Sequence, residues 1–204
     1  MDTYIIGIAG ASGSGKTTFV KELVKKFTSK EVCLISFDDY YKERHLQPLD
    51  DNGIENYDTL ESIDIEAFES DLQKLKSGES FTRKEYDFNN PDYKTEVKEY
   101  FPTPVVILEG LFLFSYESIY KKLDLKIFIE AEEHLRITRR LERDLVERGY
   151  TVEQTLYWLR KHVEPAYKTL VHPYKSEADV IIPNNKNFNA ALDLVSGFIK
   201  HKIQ

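Results

Sequence analysis

Gly10, Gly15, Lys16 and Thr17 satisfy the spacing G-x-x-x-x-G-K-[ST], with an apolar strand pattern before them (YIIGIA, 4–9) and an amphipathic helix pattern after them. Glycines at this spacing let backbone N–H groups turn inward at a helix N-terminus, where the helix dipole favours an anion. Ser12, Gly13, Ser14 and Thr18 complete the cradle, Lys16 adds a point charge for the terminal phosphates, and the Thr17 hydroxyl suits Mg²⁺. The chemistry expected is binding of a nucleoside triphosphate, ATP or GTP. A glycine-rich turn that merely enters a helix is the plainer alternative, and the strand and helix on either side argue against it.

A bound triphosphate needs a destination. Glu109 closes the apolar run VVIL (105–108), where a carboxylate costs desolvation unless it has a partner, so it is a candidate to share Mg²⁺ with Thr17. SFDDYYK (36–42) ends another apolar run with two acids. In open α/β sheets ligands sit beyond the carboxyl ends of strands, which brings Asp38 and Asp39 near the phosphates. Two acids there would repel an anion, but one of them facing a neutral hydroxyl is a general base for phosphoryl transfer. Asp38, first after the strand, is the expected base, and Asp39 is left to a turn or cap.

Arg136, Arg139, Arg140 and Arg143 recur at i, i+3, i+4 and i+7 on one helix face, apart from a stripe of Ile137, Leu141 and Leu145, and Arg148 follows. Glu132, Glu142 and Glu147 could lace one or two of these arginines to solvent. The concentration of planar guanidinium groups in one helix reads as a lid over the nucleotide, spanning 132–150.

These residues need elements to hold them. Apolar runs at 4–9, 32–37, 105–110, 125–130 and 179–183 alternate with helical patterns, which predicts a doubly wound, mostly parallel five-stranded sheet of the P-loop NTPase type, with helices on both faces. Helices are expected after the loop, before Gly78, from Thr151 (TVEQ, a capping box) to a stop at Pro165, and after Asn187. Residues 79–104 lack a helical period and read as an excursion, such as a hairpin, within one domain of 204 residues.

Composition narrows the function classes. A net charge of −7 offers no general field for nucleic acid or an anionic membrane, and no apolar run reaches the ~20 residues of a transmembrane helix. The start of the chain lacks the pattern of a signal peptide. Cys33 is the single cysteine, in an apolar run, which fits a reducing cytoplasm, and the five histidines show no metal-ligand spacing.

The chain resembles the uridine (uridine-cytidine) kinases of the wider P-loop family that also holds phosphoribulokinase and pantothenate kinase. The likeness is carried in order by GIAGASGSGKTTF, FDDYYK, NYD (56–58), EYDF (85–88), ILEGLFLF, DLKIFIEA, RITRRLERDLVERG (136–149), VEPAY and EADVIIPN. It implies a kinase for a nucleoside 5′-hydroxyl, with uridine or cytidine the default acceptor, ATP the donor and Mg²⁺ required. Asp38 would be the base, Tyr41 and Asp58 would line the nucleoside site, Asp58 and Arg140 would hold the ribose hydroxyls, and Arg143 and Arg148 would meet phosphate. It also implies a homo-oligomer, a tetramer or a dimer.

The base-recognition part departs from that pattern. Pro91 stands where a histidine that reads the pyrimidine is usual, Tyr150 replaces an arginine, and Trp158 stands where a glutamine is common. Tyr86, Phe88, Tyr150 and Trp158 are therefore expected to stack on a flat ring instead. A kinase for another riboside, such as nicotinamide riboside, or for a small alcohol is the rival within enzymes. The rival outside them is a regulatory nucleotide-binding protein. Asp50–Gly53 meets the loose D-x-x-G pattern of switch GTPases, but it reads better as a turn, and no N-K-x-D follows.

Overall fold

Five strands are rich in apolar residues, and the computed structural model, which describes residues 3–88 and 95–203, assembles them as one parallel sheet whose inner strands are buried on both faces. They are β1 (Tyr4–Gly10), β2 (Val32–Ser36), β5 (Val105–Glu109), β6 (Leu125–Glu130) and β7 (Val180–Pro183), in the spatial order β2-β5-β1-β6-β7. Successive side chains of β1 part to opposite faces. Ile5 and Ala9 join Phe37, Phe68, Leu72, Leu108 and Phe128 on one side, whereas Ile6 and Ile8 join Phe19, Leu23, Ile127, Val195 and Ile199 on the other. Helix α2 (Ile65–Lys76) covers the first face, and α1 (Lys16–Val24) and α7 (Asn189–Ile203) cover the second. The doubly wound architecture expected of the sequence is the one found.

Register decides what the sheet presents. Ile8 of β1 and Ser36 of β2 both pair with Glu109 of β5, so β2 and β5 finish level and β1 runs on to Gly10 just beyond them. Neighbouring strands lie about 4.8 Å apart, which brings the glycine-rich loop after β1, Glu109 and the turn after β2 into one row.

One departure concerns a helix. The helix α5 (Val152–Trp158) opens with the expected capping box, in which Gln154 N–H donates to Thr151 Oγ1 at 3.2 Å and Thr151 N–H to Gln154 Oε1 at 2.9 Å. Pro165 does not stop it. The path continues through a π-helical stretch (Leu159–Val163), the short α6 (Glu164–Ala166) and a second π-helical stretch (Tyr167–Val171). Widened turns on both sides make room for the proline ring, which would otherwise press on the carbonyl one turn back. In α4 (Glu133–Val146) the apolar stripe is not the core face: Leu145 is 39% exposed while Arg136 and Asp144 are buried. The remaining strands, β3 (Phe81–Lys84) and β4 (Val97–Tyr100), pair antiparallel as a separate two-stranded ribbon, and α3 (Glu117–Tyr120) precedes β6.

Candidate active site

At the end of β1 the chain makes a tight turn, with Ser14 N–H donating to Ala11 O at 3.1 Å, and enters α1 through Gly15 at φ 90°. No side chain caps α1, so its first N–H groups remain for an anion. A Cβ at Gly15 would sit 2.3 Å from Asn184 Nδ2, and one at Gly13, itself at φ 76°, would sit 2.3 Å from the Arg136 carbonyl oxygen. Larger residues would push the loop off α4 and off Asn184, which clamps it by donating to Ser14 O at 2.9 Å. Lys16 folds back over the loop, its Nζ donating to Ala11 O at 3.2 Å. Burial lowers the pKa of that ammonium group, and the charges of Glu109 and Asp38 oppose the shift.

Next to the loop, Thr17 Oγ1 donates to Glu109 Oε1 at 3.3 Å. Glu109 is buried, and burial, with the charge of Asp38 beside it, pushes its pKa up to about 7. A buried carboxylate this reluctant to ionise, hydrogen-bonded to a hydroxyl next to a phosphate loop, is a donor set that a divalent cation suits. Among the described residues no cluster of three or more His, Cys, Asp or Glu forms a cage, and Mg²⁺ in such sites takes one or two protein oxygens with the phosphates supplying more.

The turn Phe37–Tyr40 after β2 aims its side chains in different directions. Phe37 and Tyr40 enter the core, while Asp38 and Tyr41 line a cavity of about 1300 Å³. Asp39 is not in that wall: its Oδ1 accepts from Tyr86 N–H at 3.2 Å and its Oδ2 from Tyr100 OH at 3.4 Å. The aromatic side of the cavity is a continuous set, with ring centroids of Tyr41 and Tyr57 5.8 Å apart, Tyr41 and Tyr86 5.5 Å, and Tyr86 and Phe88 4.8 Å. Opposite them Tyr150 meets Trp158 edge-on at 4.7 Å and donates its hydroxyl to Phe88 O at 3.2 Å. Asp58 shares this wall. Its burial raises the pKa of the carboxyl, against the pull of Arg140 and His162.

The arginines divide by the side they face. Arg139, Arg140, Arg143 and Arg148 reach the cavity, but Arg136 turns away to lie 4.3 Å over the Tyr167 ring, near Glu164. Three of the cavity arginines, but not Arg139, are gathered by Asp144, which is fully buried: Arg143 Nη2 stands 3.0 Å from its Oδ1, Arg148 Nη1 3.4 Å from the same oxygen, and Arg140 Nε 3.2 Å from its Oδ2. Arg140 Nη1 also donates to Ser12 Oγ at 2.9 Å, tying α4 to the loop.

One cavity thus brings together Ser12, Gly13, Gly15, Lys16, Thr17, Thr18, Asp38, Tyr41, Asp58, Tyr86, Phe88, Glu109, Arg140, Arg143, Arg148, Tyr150 and Trp158. Gly10 and Ser14 do not line it: Gly10 pairs with Ile129 at the end of β1, and Ser14 is buried within the loop. Pro91 falls outside the described residues. Arg139 of the expected arginine face lines the cavity too, and so do Tyr57 and His162, which the sequence did not single out. His162 could not be found by spacing because its partner is remote: its Nε2 lies 2.8 Å from Asp50 Oδ2, which also accepts from Tyr157 OH at 2.6 Å. That Asp50 is the first residue of the DDNG turn, where its Oδ1 accepts from Asn52 and Ile54 N–H groups.

Comparison with known proteins agrees with the fold. The model of the phosphoribulokinase / uridine kinase family matches residues 5–190. The chain is 36% identical over 198 residues to a uridine kinase of Leuconostoc citreum, covering 96% of this chain and 94% of the other. It is 37% identical over 193 residues to one of Brevibacillus brevis, covering 94% and 90%. Phosphoribulokinase from Rhodobacter spheroides has the same fold at a TM-score of 0.63 and 16% identity, over 89% of this chain and 70% of that one. D-glycerate 3-kinase from Cryptococcus neoformans does so at a TM-score of 0.60 and 19% identity, over 81% and 78%. With a phosphate loop at one end of the cavity and acids and aromatic rings at the other, the chain belongs to the phosphoribulokinase / uridine kinase family, phosphotransferases that act on a hydroxyl group.

Proposed function

We propose that the protein transfers the γ-phosphoryl group of ATP to the 5′-hydroxyl of a nucleoside, with uridine or cytidine the default acceptor. The observation that carries this reading is the single cavity running from Lys16 past Glu109 and Asp38 to the ring-lined wall of Tyr41, Tyr86, Phe88, Tyr150 and Trp158. A triphosphate lies along the loop amides and Lys16, and the riboside lies with its base among the rings. Thr17 and Glu109 would hold Mg²⁺, which when bound neutralises charge on the phosphoryl oxygens. Asp38 accepts the proton of the attacking hydroxyl as its oxygen bonds to the γ-phosphorus and the bond to the β-phosphate oxygen breaks. Asp58 and Arg140 hold the ribose hydroxyls. Arg143 and Arg148, preorganised by Asp144, meet the charge of the transferring group without having to be ordered during the reaction.

On this reading residues 1–204 form one kinase domain, 79–104 its acceptor-side excursion and 132–150 its lid. The lid excludes water so that ATP is not hydrolysed in place of transfer. The protein works in the cytoplasm as a homo-oligomer, a tetramer or a dimer. In support, Cys33 is buried and unpaired, and among the described residues no helix is long and apolar enough to cross a membrane.

A second reading, a kinase for another riboside, is favoured by the facing Tyr150 and Trp158, which offer a base ring surface more than hydrogen-bonding edges. ADP release with Mg-ATP across uridine, cytidine, nicotinamide riboside, adenosine, pantothenate and ribulose 5-phosphate tests both, with Asp38→Ala as control. Asp38-dependent turnover on uridine or cytidine is the expected result. Activity confined to another acceptor selects the second reading, and slow hydrolysis indifferent to every acceptor overturns both in favour of a regulatory nucleotide-binding protein.

A further inference from the structure

Two of the four aromatic residues on the near wall of the cavity, Tyr86 and Phe88, follow β3 in a ribbon that belongs to no larger sheet. A two-stranded ribbon has marginal stability alone, so its position must come from side-chain ties. Those ties converge on the turn that carries Asp38. Asp39 has a side chain only 10% exposed and bonds both sides of the ribbon, through Tyr86 N–H and the Tyr100 hydroxyl, with Lys98 Nζ at 3.7 Å. Lys98 also pairs with Glu85, just before Tyr86. The next residue, Tyr40, donates to Asp71 Oδ2 at 3.1 Å, and Arg83 of β3 binds the same oxygen at 2.7 Å with its guanidinium 3.9 Å over the Tyr40 ring. Nothing in the cavity uses Asp39, yet its carboxylate is kept out of water.

We infer that Asp39 is a positioning residue for the acceptor: by holding Tyr86 N–H one residue away from Asp38, it sets the distance between the ring-binding ribbon and the acid that faces the hydroxyl. The inference deepens the kinase reading and rests on it for its kinetic arm. Small displacements between reacting groups are expensive, so loss of the tie acts on the acceptor and not on the nucleotide. Both bonds need only an acceptor oxygen, so asparagine can keep the one from Tyr86 N–H while alanine keeps neither.

The test compares wild type with Asp39→Ala and Asp39→Asn, reading acceptor KM, kcat, ATP KM and amide hydrogen exchange at Tyr86. The expected result for Asp39→Ala is an acceptor KM raised ~10-fold with ATP KM within about twofold, with fast exchange at Tyr86, and Asp39→Asn recovering most of both. A lowered melting temperature with an unchanged acceptor KM would reduce Asp39 to a stability role and overturn the inference. A fall of ~10² in kcat at constant KM, equal to that of Asp38→Ala, would make Asp39 the base and overturn it as well. If the wild type turned over no acceptor, the kinase reading would fail, and the exchange arm would still decide the tie: equal protection of Tyr86 in wild type and Asp39→Ala refutes it.

Discussion

The two ends of the cavity are built from different materials. On the proposed function the phosphate end is one contiguous stretch, Gly10–Thr18, which would bind mostly through backbone amides and whose conformation is dictated by glycine and by the start of α1. The ring-lined end is side chains brought from four separate stretches: Tyr41, Tyr57 with Asp58, Tyr86 with Phe88, and Tyr150 with Trp158. A backbone site tolerates little substitution, because a Cβ at Gly13 or Gly15 would strike Arg136 O or Asn184 Nδ2 at 2.3 Å. A side-chain site can be re-specified one residue at a time without disturbing the fold. On the proposed function, that contrast would let one fold keep its donor grip while its acceptor changes.

If the contrast holds, the largest loss should follow from the one charged side chain of the phosphate end. Lys16→Met removes the point charge from the terminal phosphates, and a fall of ~10³ in kcat/KM for ATP is expected by analogy with loss of a preorganised charge donor. Steady-state ADP release checks it. A smaller loss there than at any acceptor-end residue would invert the comparison.

Asp38→Ala comes next and sharpens the boundary between the ends. Acceptor phosphorylation should fall by ~10² or more, while ATP affinity, measured by titration calorimetry, stays within about twofold. Unchanged turnover would remove Asp38 from the chemistry.

The boundary itself is Glu109. Because burial raises its pKa to about 7 from an ordinary value of 4.5, the carboxyl stays protonated in the folded protein at pH values where the unfolded chain has lost the proton. Its contribution to stability is therefore present below about pH 4.5 and lost as pH rises to about 7 in the protein without ligands. Cation binding needs the ionised form, so the apparent affinity for Mg²⁺ should rise up to ~10-fold per pH unit below pH 7 and level off above it. Mg²⁺ titrations of ADP release between pH 5.5 and 8.5 check this, and Glu109→Gln should flatten the profile.

Legibility in the sequence follows the same division. The strands were readable because a sheet covered on both faces demands unbroken apolar runs, and the phosphate loop because its geometry needs glycine at fixed spacing. Asp144 was not readable. It sits in α4 among charged residues that look solvated, and only the fold buries it and turns Arg140, Arg143 and Arg148 toward it. The plainer alternative, one or two arginines laced to solvent by glutamates, gives way for these three to this single acid, because the arginine face of α4, not its apolar stripe, is the side that packs on the glycine-rich loop. The role of Asp39 as an anchor for the ribbon, and of Asp50 as a partner of His162, depends on contacts 47 and 112 residues away along the chain, which no local pattern records.

The smallest expected effect tests the ring-lined end, where residues should matter by degrees. Tyr150 contributes a ring edge to Trp158 and one hydrogen bond to Phe88 O, which links the segment after the arginine helix to the ribbon side of the cavity. Tyr150→Phe keeps the ring and removes only that bond, a change of about 1 kcal/mol, so the acceptor KM should rise ~5-fold with kcat nearly unaltered. Trp158→Ala removes a ring face as well and should cost slightly more, in the range of an aromatic pair. Measured across acceptors, the two variants separate modes of recognition. If bases are held by stacking, Trp158→Ala should penalise flat rings of every kind alike, because each has a π face. A loss confined to one pyrimidine would instead mean that this end reads hydrogen-bonding edges after all, and that it is as exacting toward its ligand as the phosphate loop is toward its own.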